Sequence, residues 1–248
     1  MNTKIGFILT TLAGLSTLIG TIIIFINKNK SNKIIAASLS FASGVMITVS
    51  IIDLIPETIT YLHTTFKTFP TIILTLIFIC IGIILSMTID KYVTPNREGE
   101  LYKIGIISML AIILHNIPEG IATFLSTESN LKLGLSLTIA IALHNIPEGI
   151  SISVPIYYST GSKLKAFIYT LISGLSEPLG ALLAHLFLSK IINNNIMGLL
   201  MGIIAGIMIQ ISIYELLPTS LKYKDKKTTI IFFLIGILFM SINHIIFN

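Results

Sequence analysis

Two identical heptapeptides, Leu114-His115-Asn116-Ile117-Pro118-Glu119-Gly120 and Leu143-His144-Asn145-Ile146-Pro147-Glu148-Gly149, each place an imidazole, a carboxamide and a carboxylate inside a long apolar run. On an α-helix, which advances about 100° per residue, each Glu lies about 40° round from its His and about 60° from its Asn. The Glu therefore sits between the other two. A carboxylate so placed can share its oxygens between a metal on the His side and a metal on the Asn side, and two such helices face to face would form adjacent sites. The geometry predicts a two-metal centre.

Pro118 and Pro147 have no N–H, so the carbonyls of Leu114 and Leu143 lose their ordinary helical partners. Unpaired backbone at membrane depth is tolerated where it is buried in protein or lines a wet cavity, which is also where transporters place ion sites. A proline kink with a structural His–Glu pair is the competing reading of one copy. Two identical copies argue against it, because each ionisable group within a bilayer costs about 2.5 to 3.5 kcal/mol on insertion scales. Imidazole and carboxylate suit Zn²⁺ and Fe²⁺, Asn and Glu oxygens form a harder set, and the lone Cys80 supports neither a thiolate cluster nor an internal disulfide.

The elements that must position these groups are membrane spans. The chain has 248 residues, of which 54% are apolar and 11% charged, a composition that excludes an ordinary soluble domain. Its net charge of +5 resides in short loops, which excludes nucleic-acid binding as its explanation. Runs long enough to cross a bilayer fall at about 5–26, 34–54, 71–89, 104–125, 133–155, 166–188, 196–217 and 229–247. The first is read as a retained span, since it is longer than a signal-peptide core and no small-x-small cleavage site follows it. The central motifs lie on spans four and five, joined by a short polar turn around Glu128-Ser129-Asn130 that makes them antiparallel neighbours. Span six carries Ser176-Glu177-Pro178, another carboxylate beside a helix-breaking residue.

With the loops after spans one, three, five and seven in the cytoplasm, 12 Lys and Arg residues fall inside and 4 outside. That bias predicts extracytoplasmic termini. A second repeat relates Gly44-Val45-Met46-Ile47 through Asp53-Leu54-Ile55-Pro56 to Gly206-Ile207-Met208-Ile209 through Glu215-Leu216-Leu217-Pro218 at a constant offset of 162. Spans two and seven then cross in opposite senses, the pattern of an inverted-repeat transporter. The predicted fold is all-α: one polytopic membrane domain over residues 1–248, with eight transmembrane helices in a 3+2+3 arrangement with inverted repeats. Asp53 and Glu57 at one end and Glu215 at the other bracket the central glutamates along a path for a cation, or else cap helix ends among lipid headgroups.

The doubled His-Asn-x-Pro-Glu-Gly resembles the signature of the ZIP (Zrt-, Irt-like) divalent-metal transporters, especially their bacterial branch, and the resemblance covers essentially the whole chain. It implies a multi-pass protein of the plasma membrane that takes up divalent cations, zinc foremost, with iron, manganese and cadmium as further candidates. It assigns the His-side site to Glu119, His144 and Glu148, with His115 as a further ligand. The Asn-side site falls on Asn116, Glu119, Asn145, Glu148 and Glu177. The implied partners are the metal ions and the lipid bilayer, with a homodimer as one compatible assembly. The loop Tyr92 to Lys103 departs from many members in having no histidine, so a metal-sensing role is not transferred to it. Met46 is read as packing, His185 as an interior histidine, and His63 and His244 as unmarked. An intramembrane metal-dependent hydrolase is the alternative function, weakened by the inverted repeats and by the lack of a His-Glu-x-x-His motif. No G-x-x-x-x-G-K-[ST] loop supports ATP-driven pumping.

Overall fold

The computed structural model describes residues 2–26, 31–92, 99–187, 193–223 and 225–247. Lys28, Lys30, Arg97, Lys190 and Lys224, all used in the orientation argument, lie outside these residues, as does Leu188 at the expected end of span six. Among the described residues eight helices are long and apolar enough to cross a membrane: α1 (Asn2–Ile26), α2 (Asn32–His63), α3 (Thr68–Tyr92), α4 (Gly99–Ser129), α5 (Leu131–Thr160), α6 (Lys163–Leu186), α7 (Asn194–Lys222) and α8 (Lys226–Phe247). No strand occurs among them. The chain is an all-α, multi-pass membrane protein.

The helices sort into two packed groups. α4 and α5 pack on each other and against α1 and α6, whereas α2 and α7 cross each other and carry α8 and α3 respectively on their outer faces. α3 and α8 expose large apolar side chains over most of their surface, among them Ile72, Leu76, Ile84, Ile230, Leu234 and Leu238. Helices apolar all round belong in lipid. α2, α4, α5 and α7 are mostly buried and supply most of the core, including Leu39, Val45, Ile112, Phe124, Ile152 and Met208.

Gly198 of α7 lies beside Thr58 and Leu62 of α2, and the Ser43 hydroxyl of α2 donates to the Ser212 carbonyl of α7 at 3.0 Å. The two helices therefore run antiparallel. Both contain one π-helical turn at the repeated position, Ser50–Leu54 in α2 and Ser212–Leu216 in α7. Each π turn holds an acid, Asp53 or Glu215, and precedes a proline, Pro56 or Pro218. A π turn widens the helix locally and turns the following face, and such turns concentrate at functional sites. α4 and α5 continue through Pro118 and Pro147 without leaving the helix. The connection between them is tighter than a polar turn: Asn130 alone separates them, its side chain accepting from the N–H of Lys132 at 2.9 Å and capping α5.

Apolar helices gain no hydrophobic energy from pairing in lipid, so close approach at small residues must hold the groups together. A Cβ on Gly206 would overlap the Ile79 carbonyl of α3, and one on Gly82 would overlap the Ile203 carbonyl of α7. Gly44 and Gly236 make the matching close approach between α2 and α8, against the carbonyls of Phe233 and Phe41. Backbone cannot yield as a side chain can. Gly206→Val is expected to destabilise the protein by about 1 to 3 kcal/mol, the usual cost of overpacking, seen as a lower thermal midpoint in detergent. Gly6→Ala, whose Cβ would meet only the Phe124 ring at 3.0 Å, should cost less; equal stability of Gly206→Val and the parent would refute the packing argument.

Candidate metal centre

The antiparallel crossing of α4 and α5, with Gly105 against Ile156 at one end and Gly134 against Thr127 at the other, brings the two heptapeptides together in mid-helix. His144 Nε2 lies 2.9 Å from Glu119 Oε1. His115 Nε2 lies 3.1 Å from the same oxygen and 3.5 Å from Glu148 Oε1. Candidate ligand atoms of His115, Glu119 and His144 all fall within 4.8 Å of one another, with Glu148 adjoining through His115. All four side chains are buried, His115 and Glu148 almost completely.

Hydrogen bonding does not account for this cluster. Among the described residues, Glu119 Oε2, both oxygens of Glu148 and Nδ1 of both histidines have no hydrogen-bond partner. An unpartnered buried polar group costs roughly 1 to 3 kcal/mol, and more when charged. Four side chains in one such cluster could share one partner. A divalent cation is the ligand whose charge and coordination demand match imidazole nitrogens and carboxylate oxygens together.

The amides form an adjoining layer. Asn145 Nδ2 donates to the Ala13 carbonyl at 2.9 Å and to a carboxylate oxygen of Glu177, and Asn116 Nδ2 donates to the Ser173 carbonyl at 3.3 Å. Donating through nitrogen leaves Oδ1 of both asparagines, and Oε2 of Glu177, without hydrogen-bond partners. Asn145 and Glu177 are thus brought together, whereas Asn116 is anchored to the backbone of α6 rather than to another expected ligand.

The helices that hold these amides carry a repeat missed in the sequence. Gly14-Leu15-Ser16-Thr17-Leu18-Ile19-Gly20 of α1 matches Gly174-Leu175-Ser176-Glu177-Pro178-Leu179-Gly180 of α6 at an offset of 160. The contacts obey it. A Cβ on Gly120 would strike the Glu177 carbonyl and one on Gly149 the Thr17 carbonyl, while Gly180 and Gly20 approach the carbonyls of Ile117 and Ile146. Ala13 and Ser173, the acceptors for the two asparagines, are equivalent residues. Thr17 stands where Glu177 stands in the other half, so the acid is present on one side only.

A cavity of about 200 Å³ opens onto the cluster from one end, with Glu119 and His144 at its floor and Asp53, Glu57, Asn243 and His244 in its walls. His115, Asn116, Asn145, Glu148 and Glu177 do not line it. Glu215 lies at the opposite end, near Asp90 and Lys103. Met46 is buried in the core. His185 differs from the expectation: it is exposed, edge-on to Phe7 and Phe124 at centroid distances of 5.6 and 5.9 Å, because α6 turns only one face inward at that level. His63 pairs with the Thr68 hydroxyl at 3.2 Å. His244, unmarked by any local pattern, is brought to Asp53 by the packing of α8 on α2.

Residues 96–244 match the family model described as ZIP zinc transporter. The chain is 41% identical to the zinc transporter ZupT of Streptococcus mutans serotype c, in an alignment covering 98% of this chain and 97% of that one. It is 39% identical to the ZupT of Clostridium perfringens, over 99% and 97% of the two chains, and 35% identical to that of Campylobacter jejuni, over 96% and 95%. Paired His-Asn-x-Pro-Glu-Gly helices around a buried imidazole and carboxylate cluster, within eight membrane-crossing helices that align end to end with these transporters, establish that the chain belongs to the ZIP zinc transporter family.

Proposed function

We propose that this chain, as a single transport domain, takes divalent metal cations into the cell across the plasma membrane, zinc foremost and with iron, manganese and cadmium as competing cargo. Transport would pass through a two-metal centre: one ion on His115, Glu119, His144 and Glu148, the other on Asn116, Glu119, Asn145, Glu148 and Glu177. The observation that carries this reading is the set of buried oxygens on Glu119, Glu148, Glu177, Asn116 and Asn145 that accept no hydrogen bond. They need a cation that the protein itself does not supply. Antiparallel α2 and α7 with matching π turns, and α1 and α6 with matching glycines, support the 3+2+3 inverted-repeat arrangement. The Lys and Arg distribution supports extracytoplasmic termini.

Membership of a transporter family makes the chain a transporter rather than an enzyme, and the hydrolase reading has no support. Zinc accumulation by proteoliposomes, in competition with Fe²⁺, Mn²⁺ and Cd²⁺ and with and without a pH gradient, tests the proposal directly. No metal-dependent uptake by correctly folded protein would overturn it.

Because the two glutamates are shared, Glu119→Ala or Glu148→Ala should remove both ions and abolish uptake, whereas Asn116→Ala should weaken one. Metal analysis finding two ions per chain in Glu148→Ala would contradict sharing. The same unsatisfied charge predicts an inverse effect on stability. Without metal, Glu148→Gln should unfold at a higher temperature than the parent, since a neutral amide costs less to bury than a carboxylate. With zinc the order should reverse, because only the parent gains the stabilisation a bound ligand confers. Thermal scans with chelator and with zinc check both halves, and a metal-free midpoint below the parent's would count against an uncompensated charge.

A further inference from the structure

The walls of the cavity repeat, one layer out, the chemistry of its floor. His244 Nδ1 of α8 lies 2.5 Å from Asp53 Oδ1 of α2, an imidazole paired with a carboxylate as His144 is paired with Glu119 at the floor. Glu57 follows Asp53 by one helical turn and lines the same cavity. Below them Glu119, itself buried and with Oε2 unpartnered, faces the same space. Asp53 belongs to the π turn at Ser50–Leu54 and lines the cavity.

The opposite end of the molecule provides an independent comparison. Ile81-Gly82-Ile83 of α3 matches Ile235-Gly236-Ile237 of α8 at an offset of 154, which makes Asp90 the counterpart of His244, as Glu215 is the counterpart of Asp53. There the paired residues are again close together, Glu215 beside Asp90. A cation already occupies that position, since the Lys103 ammonium of α4 sits 2.6 Å from Asp90 Oδ1. The same place in the fold thus holds a tethered ammonium at one end and opens to the cavity at the other.

We propose that Asp53, Glu57 and His244 form an outer binding site for a first-row divalent cation, from which the ion passes down the cavity to His144 and Glu119. The metal takes the place of the hydrogen bond between His244 Nδ1 and Asp53 Oδ1, accepting a lone pair from each atom. Imidazole with two carboxylates suits zinc better than Ca²⁺ or Mg²⁺, which prefer all-oxygen shells. The site deepens the transport reading above, because it has a role only if the central cluster accepts the ion next.

The test uses the full-length protein. In a Glu119→Gln, Glu148→Gln background, titration calorimetry with zinc should find one remaining ion per chain, and adding His244→Ala should abolish it. In the otherwise native chain reconstituted in liposomes, His244→Ala should raise the KM for zinc about tenfold, the lower range for loss of one metal-supporting partner, with kcat preserved, and His244→Asp should restore much of the loss by returning a ligand. No residual zinc in the double variant, residual zinc surviving His244→Ala, or a fall in kcat at unchanged KM would overturn the outer site. Failure of the central centre is distinguishable: it appears as unchanged zinc stoichiometry between the parent and the double variant, whatever His244→Ala does.

Discussion

The structure depends on one electrostatic constraint: several ionisable side chains meet in the middle of a membrane-embedded bundle. Glu119, Glu148 and Glu177 would repel one another there, and the dry interior strengthens that repulsion. His115 and His144 offset part of it by pairing with Glu119 and Glu148. What remains, among the described residues, is a set of buried oxygens that accept no hydrogen bond. A bundle relaxed around neutral side chains would lose less free energy. The deficit is therefore informative, since groups this costly persist where a bound cation removes the cost.

Such a cluster needs a scaffold that does not yield, and the helices around it approach as closely as backbones can. Gly14 meets Gly174 directly, and Gly20, Gly120, Gly149 and Gly180 each lie against a carbonyl of the neighbouring helix. The asparagines use the same proximity, reaching the carbonyls of Ala13 and Ser173. Each anchored amide nitrogen fixes the direction of its oxygen. Symmetry places the two halves alike, but Thr17 in place of a second Glu177 breaks it. The Thr17 hydroxyl turns back to the Gly14 carbonyl at 2.7 Å, whereas Glu177 reaches Asn145. A fourth carboxylate would add repulsion without adding an imidazole to offset it.

The doubled heptapeptide, the apolar runs and the repeat at offset 162 were all legible in the sequence, because each is a local pattern whose physical consequence is local: a helical face, a span, a turn around a proline. The α1 and α6 repeat was equally written in the chain, as Gly-Leu-Ser and a glycine four residues further on. It carries one charged residue in one copy and none in the other, so no shared chemistry marks it. His244 was not legible at all. It stands four residues from the end amid Ile and Asn, and only the packing of α8 along α2 brings it to Asp53. His185 shows the converse, a histidine at an apparently inward position that the turn of α6 leaves exposed.

The division of labour between the two helix groups bears on how the centre is reached. The candidate ligands belong to α4, α5 and α6, whereas Asp53, Glu57 and His244 in the cavity walls belong to α2 and α8. Access therefore depends on where one group stands against the other. At the end away from the His244 cavity the groups are tied by Lys103 with Asp90 and by Lys222 with Glu100. The second pair is more than half exposed on both sides, and such surface pairs contribute about 0 to 1 kcal/mol. The Lys103–Asp90 pair is largely shielded from solvent, its side chains 18% and 27% exposed, and is the firmer of the two ties. The tight glycine contacts lie mainly within each group, between α1 and α6, α4 and α6, α2 and α8, or α3 and α7. Between the groups, α2 packs on α5 and α4 on α7, and both groups contribute to one hydrophobic core.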